Sequence, residues 1–208
     1  MSLRFDFHLH TSRYSGDSVI DPFKLIPQAA SRGLHGVVIT EHHHVWPQEE
    51  LDELLAEADV PGFVLLAGFE YTSSNGDVLM YGLDQAQCET FVPRDLNAAQ
   101  AIQKAMEWGA VCVAAHPTRE GLGYDESIIE LPLAAMEVQS CNLNINEQRL
   151  GVKLSNQLGL PPTASSDAHK LDNVGKYFSE FTTTIQGMDD FKNALKTGQF
   201  QLHTPSAK

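Results

Sequence analysis

Short, uninterrupted apolar runs are the feature that most restricts how this chain can fold. Val37-Val-Ile39, Phe63-Val-Leu-Leu-Ala67 and Val111-Cys-Val-Ala-Ala115 are too short for helices and lack polar alternation. Runs of this kind are strands buried on both faces, as in a parallel sheet covered by helices. Helical segments alternate with them. Asp21-Pro22 sets an N-cap before a proline at the first helical position. That helix extends to about Arg32, with Phe23, Ile26 and Ala30 on one face and Gly33 closing it. Pro47 opens a second, striped by Leu51, Leu54, Leu55 and Ala58; a third, capped by Asp95 or Asn97, stops at Gly109; another covers about 146–158. Strands alternating with helices predict an α/β fold, either a barrel or a doubly wound sheet. Nothing in the 208 residues reads as a linker or a repeat, so a single domain over 1–208 is expected.

The ends of the strands carry the chemistry. Phe5-Asp-Phe-His8-Leu-His10-Thr11 reads as a strand over about 3–9 ending on two histidines, which alternation places on one face. Alone, such a pair is an ordinary rim or surface feature. It is not alone: His42, Glu70, His116, and Asp167 with His169 each follow a predicted strand. In a barrel of parallel strands those ends converge on one face, where active sites are built. Imidazoles mixed with carboxylates suit zinc, manganese or iron better than calcium. The donors are too many for one ion, so two or three ions are expected, with Glu70 as the bridging carboxylate.

Composition narrows the partners. Fourteen Lys and Arg against 27 Asp and Glu give a net charge of −13, which repels a phosphate backbone and disfavours long nucleic acids. No apolar run reaches the roughly 18 residues of a membrane span. The N-terminus shows no signal-peptide core, so a cytoplasmic protein is expected. Cys88, Cys112 and Cys141 are widely spaced and read as core thiols.

The blocks Phe5-Asp-Phe-His-Leu-His-Thr11, Ile39-Thr-Glu-His42, Gly68-Phe-Glu70, Ala115-His-Pro117 and Ser166-Asp-Ala-His169 resemble, in order, the motifs of the PHP (polymerase and histidinol phosphatase) family. The resemblance spans about residues 3–185. Residues 177–203 resemble the short segment that follows many stand-alone PHP domains and would pack on the barrel. The resemblance implies a distorted seven-stranded, TIM-like (β/α) barrel with a trinuclear site. It assigns His8, His10, Glu70 and Asp167 to one ion, Glu70 and His116 to a second, and Asp17, His42 and His169 to a third. Two positions depart from the family pattern. Glu41 stands where an Asp is usual, and Asp77 stands where many members place a histidine ligand. Asp77 remains a candidate ligand, with a harder oxygen donor.

The expected activity is metal-dependent hydrolysis of a small phosphorylated substrate by a hydroxide shared between ions, with Glu70, Asp167 and His169 as the catalytic candidates. Arg13 and Arg119 are the candidates for gripping phosphate, ahead of Lys170 and Lys176. One of His43 and His44 is a candidate to reach the substrate, and Tyr14 and Tyr124 are candidates to stack on it. Alternatives are a phosphodiesterase or exonuclease on short oligonucleotides, an amidohydrolase, and a catalytically idle metal-binding module. The bridging carboxylated lysine usual in amidohydrolases has no counterpart, since no lysine ends a predicted strand.

Overall fold

A computed structural model describes residues 2–203. Its strands are β1 (Leu3–Asp6), β2 (Gly36–His42), β3 (Val64–Ser73), β4 (Gly76–Tyr81) and β5 (Val111–Ala114). They continue as β6 (Ala135–Gln139), β7 (Pro162–Ala164), β8 (Phe178–Phe181) and β9 (Phe200–His203). The helices are α1 (Pro22–Ser31), α2 (Gln48–Ala58), α3 (Gln85–Glu89), α4 (Ala98–Glu107), α5 (Ile145–Leu158) and α6 (Met188–Thr197). Among the described residues no helix is long and apolar enough to cross a membrane.

All nine strands join one sheet in the order β7-β6-β5-β4-β3-β2-β1-β8-β9. The sheet curls into a nearly closed barrel, and its two ends meet differently at top and bottom. At the top, the chain beyond β7 returns to the extension of β1. Asp167 N donates to His8 O at 2.7 Å, and His10 N donates to Ala168 O at 3.0 Å. At the bottom, β8 wedges between them. It pairs antiparallel with β1 through Leu3–Phe5. Its Ser179 Oγ reaches β7, accepting from Ala164 N at 3.1 Å and donating to Ala164 O at 3.0 Å. Seven strands therefore ring the top, while the C-terminal segment supplies two further strands of the sheet and the helix α6. The sheet is mixed rather than parallel throughout: β4, which follows β3 through the tight Ser73–Gly76 turn, runs antiparallel to both β3 and β5.

Asp21 and Asn97 cap their helices as the sequence implies. Asp21 Oδ1 accepts from Phe23 N at 3.1 Å, Asn97 forms a capping box, and Asn144 forms another at the start of α5. The buried face of α1 is Leu25, Ile26 and Ala29 rather than the expected Phe23, Ile26 and Ala30, and Phe23 is 54% exposed. Leu51 and Leu54 of α2 are buried as expected.

The barrel interior is filled by Phe5, Phe7, Val38, Leu79, Tyr81, Val113, Ala135 and Phe181. α6 plugs its lower end with Phe191, whose ring lies 5.0–6.3 Å from those of Phe5, Phe7, Tyr81 and Phe181. Strict alternation from Phe5 and Phe7 would turn Leu9 inward as well. Leu9 instead packs outward with Val37 and Ile39. The alternation slips between Phe7 and His8, at the point where β1 ends and Phe7 O accepts from the buried Tyr81 hydroxyl at 2.7 Å. The slip turns both His8 and His10 towards the barrel axis.

Gly36, at the start of β2, shows how tightly the lower half is packed. A Cβ there would lie 2.4 Å from the Phe5 ring and 2.6 Å from Val64 O. Gly36→Ala is expected to cost about 1–3 kcal/mol through overpacking, lowering the melting temperature by several degrees. Thermal unfolding followed by circular dichroism checks this, and an unchanged midpoint would contradict the packing described.

Candidate metal centre

The upper rim gathers nine donor residues. His8 and His10 follow β1, and His42 ends β2, whose register sets it directly beside Glu70 of β3. Asp77 reaches the same rim because β4 runs antiparallel, so that its start lies beside Thr72 at the top of β3. His116 lies just beyond β5, Asp167 and His169 follow β7, and Asp17 comes from the loop between β1 and α1.

Glu70 is the hub. Its Oε1 lies 3.3 Å from His8 Nε2 and 3.4 Å from His116 Nε2. Its Oε2 lies 3.2 Å from His10 Nε2 and 3.0 Å from His42 Nδ1. Asp167 Oδ1 is 3.4 Å from Nε2 of both His8 and His10. Asp17 Oδ2 joins His42 Nε2 at 3.2 Å and His169 Nε2 at 3.1 Å. Asp77 Oδ2 is more distant, 3.9 Å from His116 Nε2. Four overlapping triplets bring donor atoms within 4.8 Å of one another: His10/His42/His169, His8/His116/Asp167, His8/His10/Glu70 and Glu70/Asp77/His116.

The donor atoms fit cations better than they fit each other. Among the described residues, His8 Nε2, His10 Nε2, His42 Nδ1 and both Glu70 oxygens are buried without a partner in hydrogen-bond geometry. Buried polar atoms are normally paired, and so many unpaired ones converging on common points is the arrangement shared ions would satisfy. Two of the donor residues sit in left-handed backbone, His116 at φ 26° and Asp167 at φ 48°. Such conformations cost energy in non-glycine residues and cluster at functional sites.

Charge is balanced by protons when no ion is bound. Burial alone would depress the His42 imidazole, but Glu70 and Asp17 outweigh it and push it up to about 9. Burial raises Asp77 to about 6, helped by the Glu70 charge and opposed by His116, His42 and His8. Burial would raise Glu70, yet the surrounding imidazoles hold it well below the usual carboxylate range.

Polar groups behind the rim hold the donors in place. Glu41 is buried and accepts from Thr11 Oγ1 and Ser15 Oγ, both at 2.5 Å, and from Trp46 Nε1 at 2.8 Å. Ser15 Oγ in turn accepts from His42 N at 3.1 Å and lies 3.4 Å from His10 Nδ1. The longer side chain at position 41 thus fastens the 11–15 loop beneath two donors. Two further residues escape the sequence reading. Asn142 Nδ2 donates to Asp167 O at 2.7 Å and Asp167 Oδ2 at 2.8 Å. Glu137 meets His8 Nδ1 at 3.0 Å and accepts from His116 N at 3.0 Å. The available signals were a lone charge inside the apolar run of β6 and a polar residue just past its end.

The donors open on a cavity of about 320 Å³, lined also by Thr72, Arg119, Leu122 and Asn142. Arg119 Nη1 lies 3.8 Å from Asp167 Oδ2. Arg13 is not brought to this cavity. It packs over the Tyr14 ring, 3.5 Å from Glu50, and lines a separate small pocket with Phe23 and Trp46. Lys170 and Lys176 do not line it either, and Lys176 Nζ bonds Asn173 Oδ1 at 2.7 Å. His43 turns onto Phe69 and Tyr71, and His44 stacks on Tyr14. Tyr124 is occupied too, donating to Asp77 O at 2.6 Å with its ring against Gly76.

Residues 146–200 match a family model described as PHP-associated. A two-domain Bacteroides vulgatus protein containing a predicted PHP-like metal-dependent phosphoesterase superposes with a TM-score of 0.74 at 16% identity. The match covers 98% of this chain and 65% of that one, so the chain spans just under two thirds of that protein. The chain thus shares the fold of a PHP-like protein. An amidohydrolase from Chromobacterium violaceum, solved with bound sulfate, superposes with a TM-score of 0.65 at 14% identity, over 95% of this chain and 97% of that one. The fold therefore does not choose between hydrolytic chemistries. In sequence, an uncharacterised protein of Methanocaldococcus jannaschii is 28% identical over 149 residues, covering 65% of this chain and 81% of its own.

Ion uptake at this rim must displace protons. His42 holds one up to about pH 9 and Asp77 up to about pH 6, and both must lose them to coordinate. Affinity for Mn²⁺ or Zn²⁺ is expected to rise with pH across that window, with protons released on binding. Calorimetry in buffers of different ionisation enthalpy measures the release, and a flat or falling affinity would contradict the proton-balanced cluster.

Proposed function

We propose that the protein is a metal-dependent phosphoesterase acting on small phosphorylated substrates. The observation that carries this reading is the convergence of nine donor residues, Glu70 at their hub, beside a cavity that also presents Arg119. His8, His10, Glu70 and Asp167 would hold one divalent ion, and Glu70 and His116, with Asp77, a second. Asp17, His42 and His169 would hold a third, with His10 at its edge. Manganese, iron and zinc all suit such a donor set, and the oxygen of Asp77 favours the first two. Bound divalent ions supply Lewis acidity towards phosphoryl oxygens and make water a stronger acid near neutral pH.

The chain's own residues supply position and shape. Arg119, whose guanidinium can fork onto two phosphate oxygens, would orient the substrate above the donors. Asn142 holds Asp167 at both its carbonyl and its carboxylate, so that donor cannot swing when substrate enters. A cavity of about 320 Å³ suits a small ester, and the net charge of −13 disfavours long polyanions. Among the described residues no lysine lines the cavity, which counts against an amidohydrolase built on a carboxylated lysine.

Metal analysis coupled to a panel of phosphomonoesters, phosphodiesters and amides under Mn²⁺, Fe²⁺ and Zn²⁺ tests the proposal. Hydrolysis of phosphomonoesters that stops on chelation is the expected result. Glu70→Ala should lose bound metal and turnover together. Arg119→Ala should keep its metal and lose about 10- to 100-fold in kcat/KM, the value of a charge-assisted hydrogen bond. Amide hydrolysis with no phosphoester turnover would overturn the reading.

A further inference from the structure

One buried carboxylate beside the centre is absent from every donor triplet. Glu137 lies in the middle of β6, fully buried, where the neighbouring Met136 and Val138 pack outward beneath the helices. The pairing of β6 with β7 shifts register immediately after it. Its Oε1 lies 3.0 Å from His8 Nδ1, and its Oε2 accepts from the backbone N–H of His116 at 3.0 Å. A carboxylate only accepts, so both partners must present hydrogens to it. A neutral imidazole with its hydrogen on Nδ1 keeps its lone pair on Nε2. In His8, Nε2 is the atom that faces Glu70 at 3.3 Å and Asp167 at 3.4 Å. The second partner is the amide of His116, whose φ of 26° needs something to hold it. Other rim imidazoles have weaker support on their far nitrogens. His10 has the Ser15 hydroxyl at 3.4 Å, and His169 has the Asp167 carbonyl at 3.1 Å.

We propose that Glu137 is the positioning residue of the metal centre, one carboxylate that fixes His8 as the Nδ1–H tautomer and pins the backbone of His116. Donors from two separate strands are thereby set by a single side chain on a third. Hydrogen bonds of this type orient an imidazole ligand and strengthen its donor nitrogen. The inference rests on the metal-centre reading above.

Glu137→Gln is the discriminating variant because it keeps the shape and removes one acceptor. The His116 amide can only donate, so the single Gln oxygen serves it, and the Gln NH₂ faces His8 Nδ1. His8 must then move its hydrogen to Nε2 or rotate, and either change withdraws a lone pair from the centre. Affinity for Mn²⁺ and Zn²⁺, measured by competition with a chromophoric chelator, should fall ten- to a hundred-fold. The metal-free melting temperature should change little. In the zinc-loaded wild type, ¹⁵N-edited NMR should show a downfield Nδ1–H proton that disappears in His8→Gln and in Glu137→Gln. Glu137→Asp, which keeps two acceptor oxygens, should recover part of both the affinity and the signal, and it carries the test if the Gln variant fails to fold. Wild-type affinity with an unchanged NMR signal in Glu137→Gln would overturn the inference alone. So would equal losses in the Asp and Gln variants accompanied by a collapse of the metal-free melting temperature. A wild-type protein that binds no divalent ion would overturn the metal-centre reading and this inference with it.

Discussion

The upper half of the molecule depends on one interaction, the buried Glu70 carboxylate facing four imidazole nitrogens at 3.0–3.4 Å. An ionised carboxylate is expensive to bury unless charge and hydrogen bonds compensate it. Here compensation comes from positive charge on its neighbours, as protons on the imidazoles or as shared cations. That requirement explains the placement of the strand ends. His42 is Glu70's register partner across a parallel pair, and His8, His10 and His116 arrive from strands on either side. Moving any of these strands by one residue would turn its donor away from the hub.

Stability and function occupy opposite ends of the barrel. The lower end is an aromatic plug in which Phe191 of α6 meets four other rings, and β8 closes the gap between β1 and β7. The upper end carries left-handed backbone at His116 and Asp167 and buried donor atoms without hydrogen bonds. The two ends meet at the Phe7–His8 slip, where the Tyr81 hydroxyl from the interior takes the Phe7 carbonyl. Below it β1 contributes phenylalanines to the plug, and above it the same strand contributes imidazoles to the rim. A core tyrosine thus anchors the backbone at the point where packing gives way to chemistry.

How much was legible in the sequence follows from which signals are local. Strand ends bearing His, Glu and Asp stand out because each follows an apolar run, so seven of the nine donors could be named from the chain, while Asp17 and Asp77 came only from the family resemblance. Asp77 was the hardest of these, since it reaches the rim only because β4 turns back antiparallel. Long-range relations were not legible. Nothing in Phe178–Phe181 distinguishes a strand within the sheet from one packed upon it, and the slip at Phe7 leaves no residue mark. Arg13 and Arg119 look equivalent in the chain, and a single partner separates them: Glu50 of α2 lies beside Arg13, while Arg119 follows His116 onto the rim. Phe23 misled for a related reason, since the helical stripe was read without knowing which side of α1 faces the sheet.

The charge of the cavity constrains the order in which such a site can act. Its walls include the carboxylates of Asp17, Glu70, Asp77 and Asp167 against one guanidinium and three imidazoles. Burial and mutual repulsion limit how many of those carboxylates can be charged together, as the raised Asp77 shows. The guanidinium is itself drawn towards Asp167, 3.8 Å away, so part of its charge is already spoken for. A phosphate dianion entering this pocket meets a surface closer to neutral or negative than to positive. Affinity for an anionic substrate must therefore be conditional on cations at the rim. The acidic composition that argued against long nucleic acids then has a physical role, since the carboxylates that repel an anion are the groups that would gather the cations able to bind it.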